Sequence, residues 1–511
     1  MLQLAATRGG CRLAVGVFRG QRFHHTQFDG RECATVHGGV DTAESATLTA
    51  EDVSAYAERA AQNINARRSC IALLTPYNGG NLGDASILDA VVANIGRRLP
   101  DAQFTGICLN CANFVERHGV GAFPLAGRNI PWYSVWAFIP RHSPPGEPSQ
   151  TSRGVWGRIK AALKSVPVLR QCLRVAAIIP REIFHSVGGY RFLRTQDLLV
   201  VSGGGQLNEQ YGGGWGQPFA LFKWAVLARI ARVPYVVVSV GAGKVASMTA
   251  RRFVAAALRM ACYRSYRDKN SREVATGLLQ RTAEDPVVPD LAFSLSSSQL
   301  QPPAAGIRAI AQHRTVIAMS PIAYAKPGMW PSEDSALHNR YVHEMAEVVS
   351  QLLMRGYFLV IVCSSLGDDE SVIPELLGRL DDQSKQRIAG QMHIPTIATW
   401  RDLVAALRDV DLLIASRLHS TILGFVSETP TIAISFDSKV DWVMEDLGQT
   451  DYLLQIRDFT SKDVIKALDR LELQKDVVLQ QVASYRRRIL PGATSQYDVL
   501  ADLAMARCRR H

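Results

Sequence analysis

The sequence predicts an α/β fold of two doubly wound, Rossmann-like domains, on two observations. From Ser69 onward, short aliphatic stretches alternate with stretches of helical period, the pattern of a parallel sheet with crossover helices. The alternation stops at a low-charge, proline-bearing break, SSSQLQPPAAG at 296–306, and then restarts. A chain of 511 residues exceeds what one core supports, and 47% hydrophobic with 20% charged residues is ordinary globular composition.

In the first half the strand candidates are 71–75, 103–108, 198–202, 235–240 and 265–267, closed by a short segment at 288–292. In the second half they are 315–320, 358–364, 412–416 and 431–435, separated by helices such as 341–354 and 402–408. The domains expected are therefore 69–305 and 306–490. An N-terminal extension over 1–68 precedes them, poorly ordered through about residue 45, and a C-terminal tail over 491–511 follows. Residues 131–194 interrupt the rhythm as a basic insertion: from Thr151 to Arg194 there are nine Lys/Arg against one acid, Glu182. Its run RGVWGRIKAALKSVPVLRQCLRVAAIIPREIF mixes cations with Trp156, Ile159, Leu163 and Leu169. It reads either as a basic amphipathic helix on an anionic membrane surface or as a helix packed on its own domain.

Composition excludes several classes. No apolar run reaches the roughly 20 residues that span a bilayer. Arginines break the N-terminal apolar stretches too often for a secretory signal, although a transit peptide or a start placed too far upstream stays open. Nine irregularly spaced cysteines are no disulfide framework and suit a reducing compartment. Cys108 and Cys111 form a lone C-x-x-C without the second pair of a structural zinc site, so no metal is expected. The net charge of +11 favours anionic partners; without a nucleic-acid motif, phosphorylated small molecules or a membrane surface account for it.

Four strand ends carry the chemistry. In YNGGNLGDASILDAV, a strand meets a glycine-rich turn holding Asn81, Gly83 and Asp84, then a helix with apolar residues at Ile87, Leu88, Val91, Val92 and Ile95. That unit presents backbone N–H groups and a helix N-terminus to an anion, the structural alternative being that Asp84 simply caps the helix. A second strand runs into Gly203, Gly204 and Gly205, and a third into Gly241 and Gly243 with Lys244 beside them. Such turns bring backbone N–H groups close to a ligand, yet neither the dinucleotide nor the P-loop spacing is present. The fourth is DLLIASRLHSTILGF, where a buried strand delivers Arg417, Leu418 and His419 to a helix start. An arginine fork and an imidazole at that position suit an anion, unless Arg417 pairs with a structural acid and His419 is a satisfied core residue. From the first domain, CYRSYRDKNSREVA supplies Arg267, which could clamp the same anion across the cleft.

These residues together resemble the polysaccharide pyruvyl transferase family over roughly residues 70–450. Its parts occur in order: Gly80–Asp84, Ser202–Gly205, Tyr266-Arg267-Asp268 with Ser271, Pro289-Asp290, Ser416–Ser420, and Ile434–Val440. The resemblance implies a GT-B-like pair of Rossmann-like domains around an active-site cleft. It implies a transferase with phosphoenolpyruvate as co-substrate, no further cofactor, and a sugar of a lipid- or nucleotide-linked polysaccharide intermediate as acceptor. Arg267, Arg417, Leu418 and His419 would hold the donor, with Lys244 and Lys439 as further phosphate ligands. His419 is the candidate acid, and Asp84 and Asp437 the candidate bases. Phe436 and Ser438 stand where the family usually carries Tyr and Pro. A cytoplasmic protein at the inner membrane surface is expected. The competing expectations are a nucleotide-sugar glycosyltransferase on the same scaffold and a non-catalytic glycan-assembly protein.

Overall fold

Each half of the chain builds one six-stranded, wholly parallel sheet, and the two sheets share one strand order. The computed structural model describes residues 68–127, 167–210, 212–280, 285–296, 299–300, 306–330 and 332–508, without the side chains of 167–179. These residues lie within one unit, Arg67–His511. The first sheet holds β1 (Cys70–Leu74), β2 (Gln103–Cys108), β3 (Gly121–Pro124), β4 (Leu198–Ser202), β5 (Tyr235–Val240) and β6 (Tyr263–Tyr266), in the order β3-β2-β1-β4-β5-β6. The second holds β7 (Val316–Ser320), β8 (Phe358–Ile361), β9 (Met392–His393), β10 (Leu412–Ala415), β11 (Thr431–Ser435) and β12 (Leu453–Gln455), in the order β12-β11-β10-β7-β8-β9. Counted within each half, both read 3-2-1-4-5-6, the doubly wound order whose switch point lies between the first and fourth strands. The expected α/β class with two Rossmann-like domains is therefore the observed one.

The helices of the first domain are α1 (Leu82–Arg98), α2 (Cys111–His118), α3 (Pro167–Leu193), α4 (Gln217–Ile230), α5 (Met248–Met260) and α6 (Lys269–Leu279). Those of the second are α7 (Ile307–Ala311), α8 (Ser335–Met354), α9 (Ile373–Gly378), α10 (Asp382–Gln391), α11 (Trp400–Arg408), α12 (Leu418–Val426) and α13 (Ser438–Asp446), with the closing α14 (Ser461–Cys508). Strands β4, β5, β7, β10 and β11 are buried along their whole length, which is why they read as unbroken aliphatic runs. The strands absent from the sequence reading are β3, β9 and β12. All three are short, sit at or near sheet edges and are partly exposed, so they lack that signature.

Two features lock the halves together. The start of α1 is hydrogen-bonded to the loop after β8, Leu82 N to Ser364 O at 2.9 Å and Leu366 N to Gly80 O at 2.9 Å. Deeper in, Asp89 of α1 accepts from Trp400 Nε1 at 2.8 Å and pairs with Arg401 at 2.8 Å and His118 at 2.6 Å. The second feature corrects the expected tail at 491–511: through Cys508 this stretch continues α14, which runs through Pro491 as one helix of 48 residues. Its first half touches the second domain, with Tyr357 Oη donating to Glu472 at 2.9 Å. Its second half packs on the first, with Arg98 bonded to Asp498 at 2.6 Å and Tyr497 Oη 3.1 Å from Ser294 Oγ. The expected N-terminal extension, through residue 67, and most of the basic insertion lie outside the described residues.

Candidate active site

A cavity of about 1610 Å³ opens where the carboxyl ends of both sheets meet. The first domain lines it with Asn81, Asp84, Gly203, Gly204, Gly205 and Arg267, and the second with Arg417, Leu418, His419, Asp437 and Lys439. Gly83, Gly241, Gly243 and Lys244 are not on its wall.

Asn81, not Asp84, caps α1: its Oδ1 accepts from Gly83 N at 3.0 Å and Asp84 N at 3.4 Å. Asp84 is thereby left in the first turn, its Oδ2 accepting from Asn81 Nδ2 at 3.0 Å. Gly83 lies behind His419, since a Cβ built on it would fall 1.9 Å from the imidazole Cγ. Gly241 plays the same part for Arg267, where a Cβ would come within 2.6 Å of Nη2. Gly203 and Gly204 have φ of 53° and 68°, the left-handed region in which glycine is unstrained.

At the cavity Arg267 and His419, one from each domain, meet two buried carboxyls, Asp268 and Asp290. Arg267 is 3% exposed and lies 3.5 Å from Asp268 and 3.5 Å from Asp290. Asp290 in turn lies 3.8 Å from His419 Nε2. That is ion-pair separation but longer than a hydrogen bond. Arg267 Nη2, Asp290 Oδ2 and His419 Nε2 are accordingly buried without hydrogen-bond partners. Buried unpaired polar atoms are costly, and a cluster of them around a guanidinium and an imidazole is what an anion would complete. Asp290 is the member of this cluster absent from the expected site residues; its only signal was the Pro289-Asp290 pair of the family pattern.

The two carboxyls are driven apart. Burial pushes the Asp84 carboxyl up, with the charge of Asp290 adding to it, while His419 and Arg267 only partly oppose the rise. Burial would raise Asp290 too, but the charges of His419 and Arg267 and the Ala292 N–H outweigh it and hold that carboxyl below its ordinary value. The surroundings thus favour the protonated form of Asp84 and the ionised form of Asp290.

Arg417 caps α12 and carries a bidentate ion pair: Nε and Nη2 each lie 2.8 Å from the carboxylate of Asp369, which is completely buried. The structural alternative for Arg417, pairing with an acid of its own domain, is therefore the observed geometry. The pairing fixes the guanidinium, and the side chain still reaches the cavity at 22% exposure. Asp369→Asn removes the countercharge of a partly exposed arginine and is expected to lower stability by about 2 kcal/mol in urea unfolding. Asp437 is the N-cap of α13, accepting from Lys439 N at 3.0 Å, and lies 3.5 Å from Lys439 Nζ. This use as a cap, together with the ion pair, ties it to the start of its own helix, at the cavity wall. Lys439 itself reaches the opposite domain: a Cβ on Gly243 or Gly205 would sit 3.5 or 3.8 Å from its Nζ. Lys244 is exposed and off the cavity wall, near Glu209, so the structure does not bring it together with the other expected donor ligands.

The second domain also contributes an aromatic wall. Trp330 packs edge-on against Tyr324 and Phe436, with ring centroids 5.3 and 5.5 Å apart, and Arg417 lies 5.9 Å from the Trp330 ring. Phe436 thus fills an apolar place within this wall. Cys108 and Cys111 also line the cavity as free thiols, and burial pushes the Cys108 thiol far above its ordinary value. Among the described residues, no helix is long and apolar enough to cross a membrane.

Fold and cavity together define a protein of two Rossmann-like domains with an interdomain site that draws arginine, lysine, histidine and carboxylate side chains from both halves. The chain belongs to the polysaccharide pyruvyl transferase family, whose model matches residues 81–438, more than half of it. It is similar to the amylovoran biosynthesis protein AmsJ of Erwinia amylovora, 25% identical over 226 residues. That match covers 42% of this chain and spans about half, 52%, of the relative. Among solved structures it is similar to a putative UDP-N-acetylglucosamine 2-epimerase from Listeria monocytogenes, at 11% identity and a TM-score of 0.48, covering 84% of this chain and 97% of that one. It is also similar to S. aureus MnaA, solved with UDP, at 10% identity and a TM-score of 0.46, covering 81% and 90%.

Proposed function

We propose that this chain transfers the pyruvyl group of phosphoenolpyruvate to a sugar of a polysaccharide intermediate, forming a pyruvate ketal and releasing phosphate. The observation that carries the reading is the cluster at the cavity: Arg267 and His419 with unmet polar atoms, beside Asp84 on the cavity wall, whose carboxyl is pushed up by burial. Arg267, Arg417 and the first turn of α12 receive the donor's carboxylate and phosphate, with Lys439 entering from the second domain. Asp84 protonates C3 of the enol, which leaves cationic character at C2. A sugar hydroxyl attacks C2 while His419, its charge balanced by Asp290, takes the hydroxyl proton. Phosphate then leaves toward the arginines, and a second hydroxyl closes the ring at C2. Of the two hydroxyl protons, one replaces that given by Asp84 and the other departs on hydrogen phosphate. The reaction consumes no redox equivalent and needs no cofactor. Trp330 and Phe436 offer the acceptor's sugar ring an apolar face. The six free cysteines of the described residues agree with a reducing, cytoplasmic setting.

The test is thermal stability with phosphoenolpyruvate for the wild type and Arg267→Gln. At a hundredfold excess over its dissociation constant, the donor is expected to add about 2.7 kcal/mol to the wild type and nothing to the variant. Protection by nucleotide sugars, with none from phosphoenolpyruvate, would instead establish the glycosyltransferase reading.

A further inference from the structure

We infer that the outer face of the first domain, formed by α3, α4 and α5, is a docking surface for an anionic lipid bilayer, with the cavity opening beside it. These three helices pack in series over the second hydrophobic cluster of the sheet, on the side that does not join the core of the second domain.

Their charge is one-sided. Within the described side chains of the three helices, Arg181, Arg191, Arg229, Arg251, Arg252 and Arg259 are all exposed. The single acid there, Glu182, is buried against Lys223, so each cancels the other inside the domain. By contrast α14, which faces solvent along much of its length, carries six acids among its basic residues. Six exposed arginines on helices that carry no exposed acid of their own match a surface of lipid phosphates, with Glu209 at the N-cap of α5 as the acid beside them.

The same face exposes apolar side chains that a soluble surface would ordinarily cover. On α3 Phe184 is 79% exposed, Ile183 58% and Val187 44%; nearby Trp215 is 55% and Met248 63% exposed. Trp215, Phe219 and Phe253 are in mutual ring contact, with centroids 5.2 to 5.5 Å apart, so the exposed indole is held by a rigid aromatic base. Apolar residues amid arginines, with a tryptophan at the boundary, are what the headgroup region accepts.

This surface is continuous with the cavity rim. Glu182 accepts from Gly127 N at 3.3 Å and His185 Nε2 lies 2.8 Å from Pro124 O, and residues 124–127 line the cavity. Trp215 precedes Gln217, another lining residue at the start of α4. Docking through Phe184 and Trp215 therefore brings the opening to the lipid headgroups, where a lipid-linked acceptor would present its sugar.

The experiment is co-sedimentation of the full chain with vesicles of phosphatidylcholine alone or with about 30% phosphatidylglycerol. Binding is expected only to the anionic vesicles and is expected to weaken as salt rises. The pair Phe184→Asp and Trp215→Asp, and separately Arg251→Glu with Arg252→Glu, should each lower the partition coefficient about tenfold or more. Protection by phosphoenolpyruvate should persist in both, since neither pair touches the floor of the site; its persistence also shows that the variants are folded. Absence of wild-type binding to anionic vesicles, or unchanged binding by both pairs, would overturn the proposal. So would a wild-type dimer that Phe184→Asp dissolves without any vesicle binding, which would make the face a contact between two copies.

Discussion

Asp84→Asn is expected to bind phosphoenolpyruvate as the wild type does and to transfer its pyruvyl group about 10²–10⁴-fold more slowly. The substitution keeps the shape of the side chain and the bond from Asn81 Nδ2, which an amide oxygen can still accept. What it removes is the titratable proton, which burial of the Asp84 carboxyl favours. Donor protection measured alongside single-turnover transfer separates the two roles: intact binding with lost transfer assigns Asp84 to the proton, whereas loss of both makes it part of the anion site. Stability against pH gives a second readout. Because the native carboxyl titrates above its unfolded value, the native state holds an extra proton between the two values, and wild-type stability falls as pH rises through that window. The amide of Asp84→Asn cannot titrate, so the stability of the variant relative to wild type should increase as pH rises through the same window. Asp290 works in the opposite sense. Its depressed native value contributes stability above the ordinary carboxylate value, and that contribution is lost as pH falls through the native value.

Much of this site was legible because doubly wound folds put function at strand ends, and strand ends show in a sequence as apolar runs that stop in glycines or in unexpected charges. Asn81, Asp84, Arg267, Arg417 and His419 were reached that way, and all five line one cavity. What the sequence does not carry is pairing at long separation. Asp369 is 48 residues from the arginine it holds, within a run of acids (Asp368, Asp369, Glu370) that reads as a solvated turn. Only burial distinguishes it. The acid and base roles were equally out of reach, since they depend on which carboxyl faces His419 at close range. Lys244 shows the reverse limit: a lysine beside two glycines has the right chemistry, but the sequence does not tell that its side chain lies off the cavity wall. In the fold, the edge strands and the return of α14 onto the first domain escaped for related reasons. Short half-exposed strands have no periodic signal, and Pro491 argues locally for a helix end that the packing overrides.

Gly83→Ala tests whether the geometry of the site is as tight as its electrostatics require. In the first turn of a helix, alanine is favoured over glycine by roughly 1 kcal/mol on propensity alone, so local rules predict a stabilising change. Here the new Cβ would meet Cγ, Nδ1 and Cβ of His419 at 1.9, 2.1 and 2.2 Å. These are the root of the side chain, not a flexible end, and His419 sits in the first turn of α12, where the backbone is fixed. Either α1 or α12 must move, and the two helices belong to different domains. Overpacking of this kind costs about 1–3 kcal/mol, so net destabilisation is expected in urea unfolding. The larger consequence is chemical. Displacing the imidazole by an ångström or more breaks its approach to Asp290 and to the acceptor hydroxyl, and transfer is expected to fall about 10²-fold. Donor binding should fall less, because Arg267 and Arg417 are held by Asp290, Asp268 and Asp369, not by the α1–α12 contact. Gly83→Ala with full activity would mean that His419 has room to move, and with it the role of that imidazole in proton transfer would fail.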